Sequence, residues 1–215
     1  MIKAFIFDLD GTLMDSEVLW VEALKLVLQD KDLHISHEDA MAIVYGKSWS
    51  SVYSDVSKRF PGVYPDIDEM EILMRKKFLK LAKTRDVLIH SSIDLLKNLS
   101  QDYPVCIVSG GTKKDVTDSI TLMGIDPYLK FYLTNEDCSA GKPSPACYLA
   151  AAERLRLAPR HCLVFEDSTA GIQAAKKAGM YCVALKRKDA PDQDTSDADE
   201  TLDDLAYFRL DHWTS

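Results

Sequence analysis

The sequence predicts an α/β protein, a doubly wound parallel sheet interrupted just after its first strand by an all-helical insert. Three observations carry this. From Ser91 onward, short apolar, β-rich runs alternate with amphipathic helices, the pattern of a parallel sheet wound on both faces. Another run, Ile2 to Leu9, stands alone at the N-terminus and meets Asp10-Gly11, as a buried strand entering a turn does. Between the two, from Glu17 to Lys83, no comparable strand pattern occurs.

Taken in order, the insert contains four helices. Val18, Leu19, Val21, Leu24, Leu26, Val27 and Leu28 give the first a broad apolar face. His37 to Tyr45 and Ser48 to Phe60 form two more, separated by Gly46. Pro61-Gly62 and Pro65 mark a loop, and Asp68 to Lys83 forms the fourth, with Met70, Leu73, Met74, Phe78, Leu79 and Leu81 at roughly helical spacing. In the α/β part, Ser91 to Leu99 is a helix, Pro104 to Val108 a strand, Thr112 to Met123 a helix closed by Gly124, and Phe131 to Thr134 a short strand. Pro143 to Leu157 is a helix with proline near its start. Cys162 to Phe165 is a strand, Ser168 to Ala178 a helix capped by its serine and followed by Gly179, and Tyr181 to Leu185 the last strand. Ala190 to Leu205 is rich in Asp and reads as a solvated, weakly ordered connection to a short C-terminal helix. The domains expected are therefore a core of residues 1–16 and 84–215 and a helical insert of residues 17–83.

Composition narrows the function. A chain of 215 residues, 47% hydrophobic, can bury a sizeable core without disulfides. The net charge of -8 offers no basic stripe for a nucleic-acid backbone, and an acidic surface repels anionic membranes. Five cysteines occur without a CxxC pair, and Cys106, Cys162 and Cys182 lie in apolar runs. The thiols read as reduced and the compartment as cytoplasmic. No apolar stretch approaches the roughly 20 residues of a membrane span, and Asp8 and Asp10 interrupt the only run resembling a signal peptide. Neither nucleic acid nor a membrane is expected as a partner. His34, His37, His90, His161 and His212 read as exposed.

Ligands of an open parallel sheet bind at the carboxyl ends of its strands. Asp8, Asp10 and Gly11 follow the first strand, Ser109 and Gly110 the second, and Glu166 and Asp167 the strand beginning at Cys162, while Lys142 lies in Gly-Lys-Pro at a helix start. Each piece alone has a plainer reading, as a turn, a solvated lysine or charge at a helix N-terminus. Together they place carboxylates and an ammonium on one edge. Like charges at close range cost free energy unless a cation neutralises them. Carboxylate oxygens without neighbouring His or Cys suit a hard ion such as Mg2+.

The segment from Asp8 to Ser16, DLDGTLMDS, resembles the first motif of the haloacid dehalogenase (HAD) superfamily, and more closely the branch of β-phosphoglucomutase and small sugar-phosphate phosphatases. Ser109 matches the second motif, Lys142 in GKPSP the third, and Glu166-Asp167-Ser168 with Gly171-Ile172 the fourth. The motifs run in family order and cover essentially the whole chain. The resemblance implies a Rossmann-like core with a helical cap and a magnesium-dependent phosphatase whose partner is a small-molecule phosphate ester, met by a monomer or weak dimer. Asp8 would be the nucleophile that forms an aspartyl-phosphate, and Asp10 the general acid and base. Asp8, the main-chain carbonyl of Asp10 and Asp167 would bind Mg2+, with Glu166 a supporting ligand. Ser109, Gly110 and Lys142 would hold the phosphoryl oxygens.

Two other chemistries of that superfamily fit less well. A dehalogenase needs neither an acid at position 10 nor a metal pair. The phosphomutases it resembles use a cap arginine for a distal phosphate, and Tyr45-Gly46-Lys47-Ser48-Trp49-Ser50 contains none. Lys47 is the candidate for the non-phosphate end of the substrate, with Gly46 beside it, and Trp49 reads as insert core. Ala146 replaces the acid usual after the GKPxP proline, where it supports only the helix start.

Overall fold

The computed structural model describes residues 1–45, 47, 49–188, 190 and 192–214. The chain forms two compact units, Met1–Met14 with Leu88–Ser215, and Asp15–Val87.

Among the described residues the first unit contains a six-stranded, all-parallel sheet in the order β3-β2-β1-β4-β5-β6. The strands are β1 Ala4–Phe7, β2 Val105–Val108, β3 Phe131–Leu133, β4 Cys162–Glu166, β5 Tyr181–Leu185 and β6 Glu200–Leu202. β1 is buried at every position (AFIF), as are β2 and β4, because helices cover both faces of a parallel sheet. β1 pairs with β2 on one side and β4 on the other, with Phe7 opposite Ile107 and Phe165. The strand order therefore reverses at β1, and a crevice opens there beyond the carboxyl ends. The helices are α5 His90–Leu99, α6 Lys113–Met123, α7 Ala146–Leu155, α8 Thr169–Lys177 and the short α9 Asp211–Thr214. On one sheet face, Ile6, Val108 and Val164 pack with Tyr148, Ala151, Ile172 and Ala175 of α7 and α8.

The second unit is helical: α1 Ser16–Gln29, α2 His37–Val44, α3 Trp49–Arg59 and α4 Ile67–Ala82. Ser36 and Asp66 cap α2 and α4 by accepting from the main-chain N–H three residues on. Leu24, Leu28, Val56, Met70 and Met74 form its core. Trp49 lies half-buried against it, edge-on to Trp20 with ring centres 5.0 Å apart. Gly46 and Ser48, on either side of Lys47, fall outside the described residues.

Three expectations change. The segment from Ala190 to Leu205 is not merely a solvated connection, and Tyr181–Leu185 is not the last strand. β6 adds to the sheet edge, Val183 facing Glu200 and Leu185 facing Leu202. Its three residues carry no apolar alternation to announce them. What holds the edge is Asp199, whose side chain accepts from the Cys182 N–H at 2.7 Å and from Lys176 at 2.6 Å. The helix expected from Pro143 begins at Ala146 and ends at Leu155. Pro145 holds the N-cap position, so Gly-Lys-Pro lies in a loop. Lastly, Cys138 and Cys147 are joined as a disulfide with Cα atoms 5.3 Å apart. The expectation of five thiols holds only for Cys106, Cys162 and Cys182. An odd count without CxxC gave no hint that the loop would fold Cys138 back onto the first turn of α7.

Candidate active site

Asp8 directly follows β1, and its N–H donates to the Phe165 carbonyl of β4 at 2.9 Å. The chain then turns sharply, with Gly11 N–H donating to the Met14 carbonyl at 2.8 Å. Gly11 has φ +89°, and a Cβ there would collide with the Asp167 carboxylate. Only glycine satisfies both conditions, so the turn and the acid at the end of β4 share one space. Asp167 also accepts from the Thr12 hydroxyl at 3.4 Å.

The structure gathers Asp8, Asp10, Ser109, Lys142, Glu166 and Asp167 at this strand edge. Lys142 Nζ is ion-paired with both Asp8 Oδ1 and Glu166 Oε1, the latter at 2.5 Å. Ser109 is buried, its hydroxyl 3.5 Å from Asp10 Oδ2, and it accepts from the Gly111 N–H at 3.0 Å. Gly110 is exposed at the same turn. Lys47 belongs to the helical unit, where its Nζ donates to Asp55 at 2.8 Å.

Glu166 is more than a spare metal ligand. It is fully buried, and its carboxylate accepts five hydrogen bonds. Lys142 and the Tyr148 hydroxyl (3.0 Å) donate to Oε1. The N–H groups of Asp167 and Ser168 (both 2.9 Å) and the Ser168 hydroxyl (3.0 Å) donate to Oε2. A carboxylate offers about four lone-pair positions, so this one is saturated. The Ser168 hydroxyl meanwhile caps α8, accepting from Gly171 N–H at 3.1 Å. A Cβ on Gly171 would strike the Glu166 carboxylate. Glu166 thus fixes Lys142 from behind. Tyr148 carried no local signal, since its role depends on α7 bringing the phenol to Glu166 at the end of β4.

Burial pushes the Asp8 carboxyl up to about 8; Lys142 opposes that shift, and Glu166 and Asp10 add to it. Asp167 is raised well above the carboxylate range by burial, then by Glu166 and Asp8. Burial alone would discharge Lys142, but Asp8 and Glu166 outweigh it and hold the amine well above the usual lysine range. Each of Asp8, Glu166 and Asp167 offers a carboxylate oxygen within 4.8 Å of the others. One ammonium does not neutralise three such groups, so this donor set fits a hard divalent cation. With Glu166 saturated, Asp8 and Asp167 are the side chains with which such an ion fits.

The family described as haloacid dehalogenase-like hydrolase matches residues 5–185, every residue of this site included. The chain belongs to that family. This HAD-like hydrolase is similar to validoxylamine A 7'-phosphate phosphatase of Streptomyces hygroscopicus subsp. limoneus, 30% identical over 99% of this chain and 98% of the relative. It is 29% identical to hexitol phosphatase A of Escherichia coli, over 85% of this chain and 82% of the relative. Among solved structures it resembles CbbY from Rhodobacter sphaeroides in complex with phosphate, with a TM-score of 0.81, 22% identity and 96% of each chain covered. That likeness bears on the fold, and the HAD-like core and the six-stranded sheet agree with it.

Proposed function

We propose that this HAD-like hydrolase is a magnesium-dependent phosphatase of small phosphorylated carbohydrates, acting through an aspartyl-phosphate on Asp8. That it is a phosphatase follows from its family and from full-length relatives that carry that name. The observation that carries the mechanism is the double ion pair of Lys142 with Asp8 and Glu166 where the strand order reverses.

Asp8 attacks phosphorus in its ionised form, in line with the departing oxygen. Asp10 protonates the leaving alkoxide, then takes a proton from the water that hydrolyses the acyl phosphate. Lys142, Ser109 and the Gly110 N–H hold the phosphoryl oxygens, so charge developing on them is met by fixed donors. Mg2+, held by Asp8, Asp167 and the Asp10 carbonyl, would supply the charge neutralisation that lets Asp8 stay ionised beside its neighbours. Residues 17–83 serve as a cap that selects the leaving group, with Lys47 for its non-phosphate end. The chain acts in the cytoplasm, as a monomer or weak dimer; no described helix is long and apolar enough to cross a membrane.

The test is phosphate release from a panel of phosphorylated sugars and polyols with magnesium, against Asp8→Asn as the blank. Release no greater than the blank on every member would overturn the reading. Conversion of a hexose phosphate to its isomer would replace it with a mutase.

A further inference from the structure

We propose that the Cys138–Cys147 pair is a reversible redox modification site that clamps the loop presenting Lys142, and so sets the enzyme's affinity for phosphoryl groups. The proposal rests on the phosphatase reading for its kinetic consequence, but not for the clamp itself.

The disulfide spans nine positions, and Lys142 lies between its ends. On one side, Cys138 follows a 3-10 turn, Asn135–Asp137, that is fixed to β3. Asp137 accepts there from both the N–H and the hydroxyl of Thr134, at 2.9 and 2.7 Å. On the other side, Cys147 is buried in the first turn of α7. Its neighbour Tyr148 donates to the Glu166 oxygen that also accepts from Lys142. The bond therefore ties two anchored points, and the eight residues between are half-buried or exposed. Within them the one main-chain turn bond is Ser144 N–H to the Gly141 carbonyl at 3.0 Å. Without the disulfide, the loop keeps the ion pairs of Lys142, the very side chain it must position, and long bonds from Lys177 Nζ to the Pro143 carbonyl and from Ala146 N–H to the Ser144 hydroxyl, both 3.4 Å.

The other cysteines make the pair distinct. Cys106, Cys162 and Cys182 are buried in β2, β4 and β5. Burial raises all three thiols, that of Cys162 to about 11, so they react slowly as nucleophiles. Cys138 is only half-buried, which gives a reagent access. In reduction, a thiolate of an external dithiol attacks the Cys138 sulfur and breaks the Cys138–Cys147 bond. Cys147 leaves as thiolate and takes a proton. The second thiol of the reagent then displaces Cys138 and closes the reagent's own disulfide, so two electrons pass to the protein. Oxidation by an organic disulfide such as oxidised glutathione runs the same exchange in reverse. Disulfides in a reducing compartment are usually transient or regulatory.

Freeing the loop leaves Lys142 in place for only part of the time, and apparent affinity falls by that fraction. The experiment compares protein oxidised with glutathione disulfide and protein reduced with dithiothreitol, each mapped by peptide mass. The readouts are amide exchange over 139–146, inorganic phosphate binding with magnesium, and kcat/KM on p-nitrophenyl phosphate. Reduction should speed exchange in this loop and weaken phosphate binding and kcat/KM by about threefold to tenfold, reversibly. Cys138→Ser should match the reduced protein and ignore the reagent. A Cys138–Cys147 bond that never forms under the oxidant overturns the proposal. So does a mapped bond whose reduction changes neither exchange nor phosphate binding, or a Cys138→Ser protein that still responds. If the exchange contrast appears and no ester is hydrolysed in either state, the clamp stands and the phosphatase reading fails.

Discussion

Tyr148 and Lys142 donate to the same oxygen of Glu166, the phenol at 3.0 Å and the ammonium at 2.5 Å. Burial, and next the Glu166 charge, hold the phenol well above its ordinary titration range, so it remains a donor. Tyr148→Phe removes one of the two groups that fix this oxygen. Losing a buried hydrogen bond costs about 1 kcal/mol of stability. The amine, now steered less firmly, should raise KM for an aryl phosphate about threefold to tenfold while kcat changes less. A lowered melting temperature with unchanged kinetics would reduce Tyr148 to a packing residue.

Asp8→Asn keeps the size of the side chain but removes the attacking charge. Turnover is expected to fall by at least about a thousandfold, roughly 4 kcal/mol of barrier, with the fold intact by circular dichroism. Retention of more than about a tenth of wild-type kcat is incompatible with a covalent intermediate on Asp8.

The raised carboxyl of Asp8 predicts a pH dependence of stability in the absence of metal. Its folded value of about 8 lies above the ordinary 3.8, so the folded chain binds this proton more tightly than the unfolded chain. That contribution is fully present below about pH 4 and is lost as pH rises through about 8. Asp167 shifts in the same direction. Thermal melts in chelator should therefore fall from pH 5 to pH 8, and magnesium should raise the melting temperature more at pH 8. Equal magnesium shifts at the two pH values would contradict an ion held by these carboxylates.

Two glycines should respond differently to alanine. Gly171→Ala drives a methyl into the buried, five-fold bonded Glu166 carboxylate, and overpacking of this kind costs about 1–3 kcal/mol. Gly110→Ala meets open space and should leave the denaturation midpoint within measurement error. Equal stability of the two variants would show that Glu166 moves more freely than its bonds imply.

Lys47→Ala tests the helical unit. The amine is paired with Asp55 on α3, so it can exchange an internal partner for a ligand. kcat/KM should fall several-fold for a phosphorylated sugar or polyol and stay nearly constant for p-nitrophenyl phosphate. An equal loss on both would assign Lys47 to the phosphoryl group or to the stability of its helix.

By itself the sequence determined which residues stand at the strand ends. Short apolar runs make buried parallel strands, and a side chain placed directly after such a run must lie at the sheet's carboxyl edge. That reasoning located Asp8, Ser109, Glu166 and Asp167, and it read the Ser168 cap correctly, because caps and strand ends depend on neighbours a few residues away. The tertiary structure decided what the buried charges do to one another. Lys142 meets Asp8 across 134 positions and Tyr148 meets Glu166 across 18. No local periodicity encodes such contacts, which depend on how α7 crosses the sheet. The same limit hid the Cys138–Cys147 pairing, formed only when the loop after β3 folds back. It hid β6 as well, a three-residue edge whose order comes from Asp199 bridging Lys176 and the Cys182 N–H. Burial made Glu166 an anchor of Lys142, because an enclosed carboxylate must take its hydrogen bonds from whatever donors the fold brings to it.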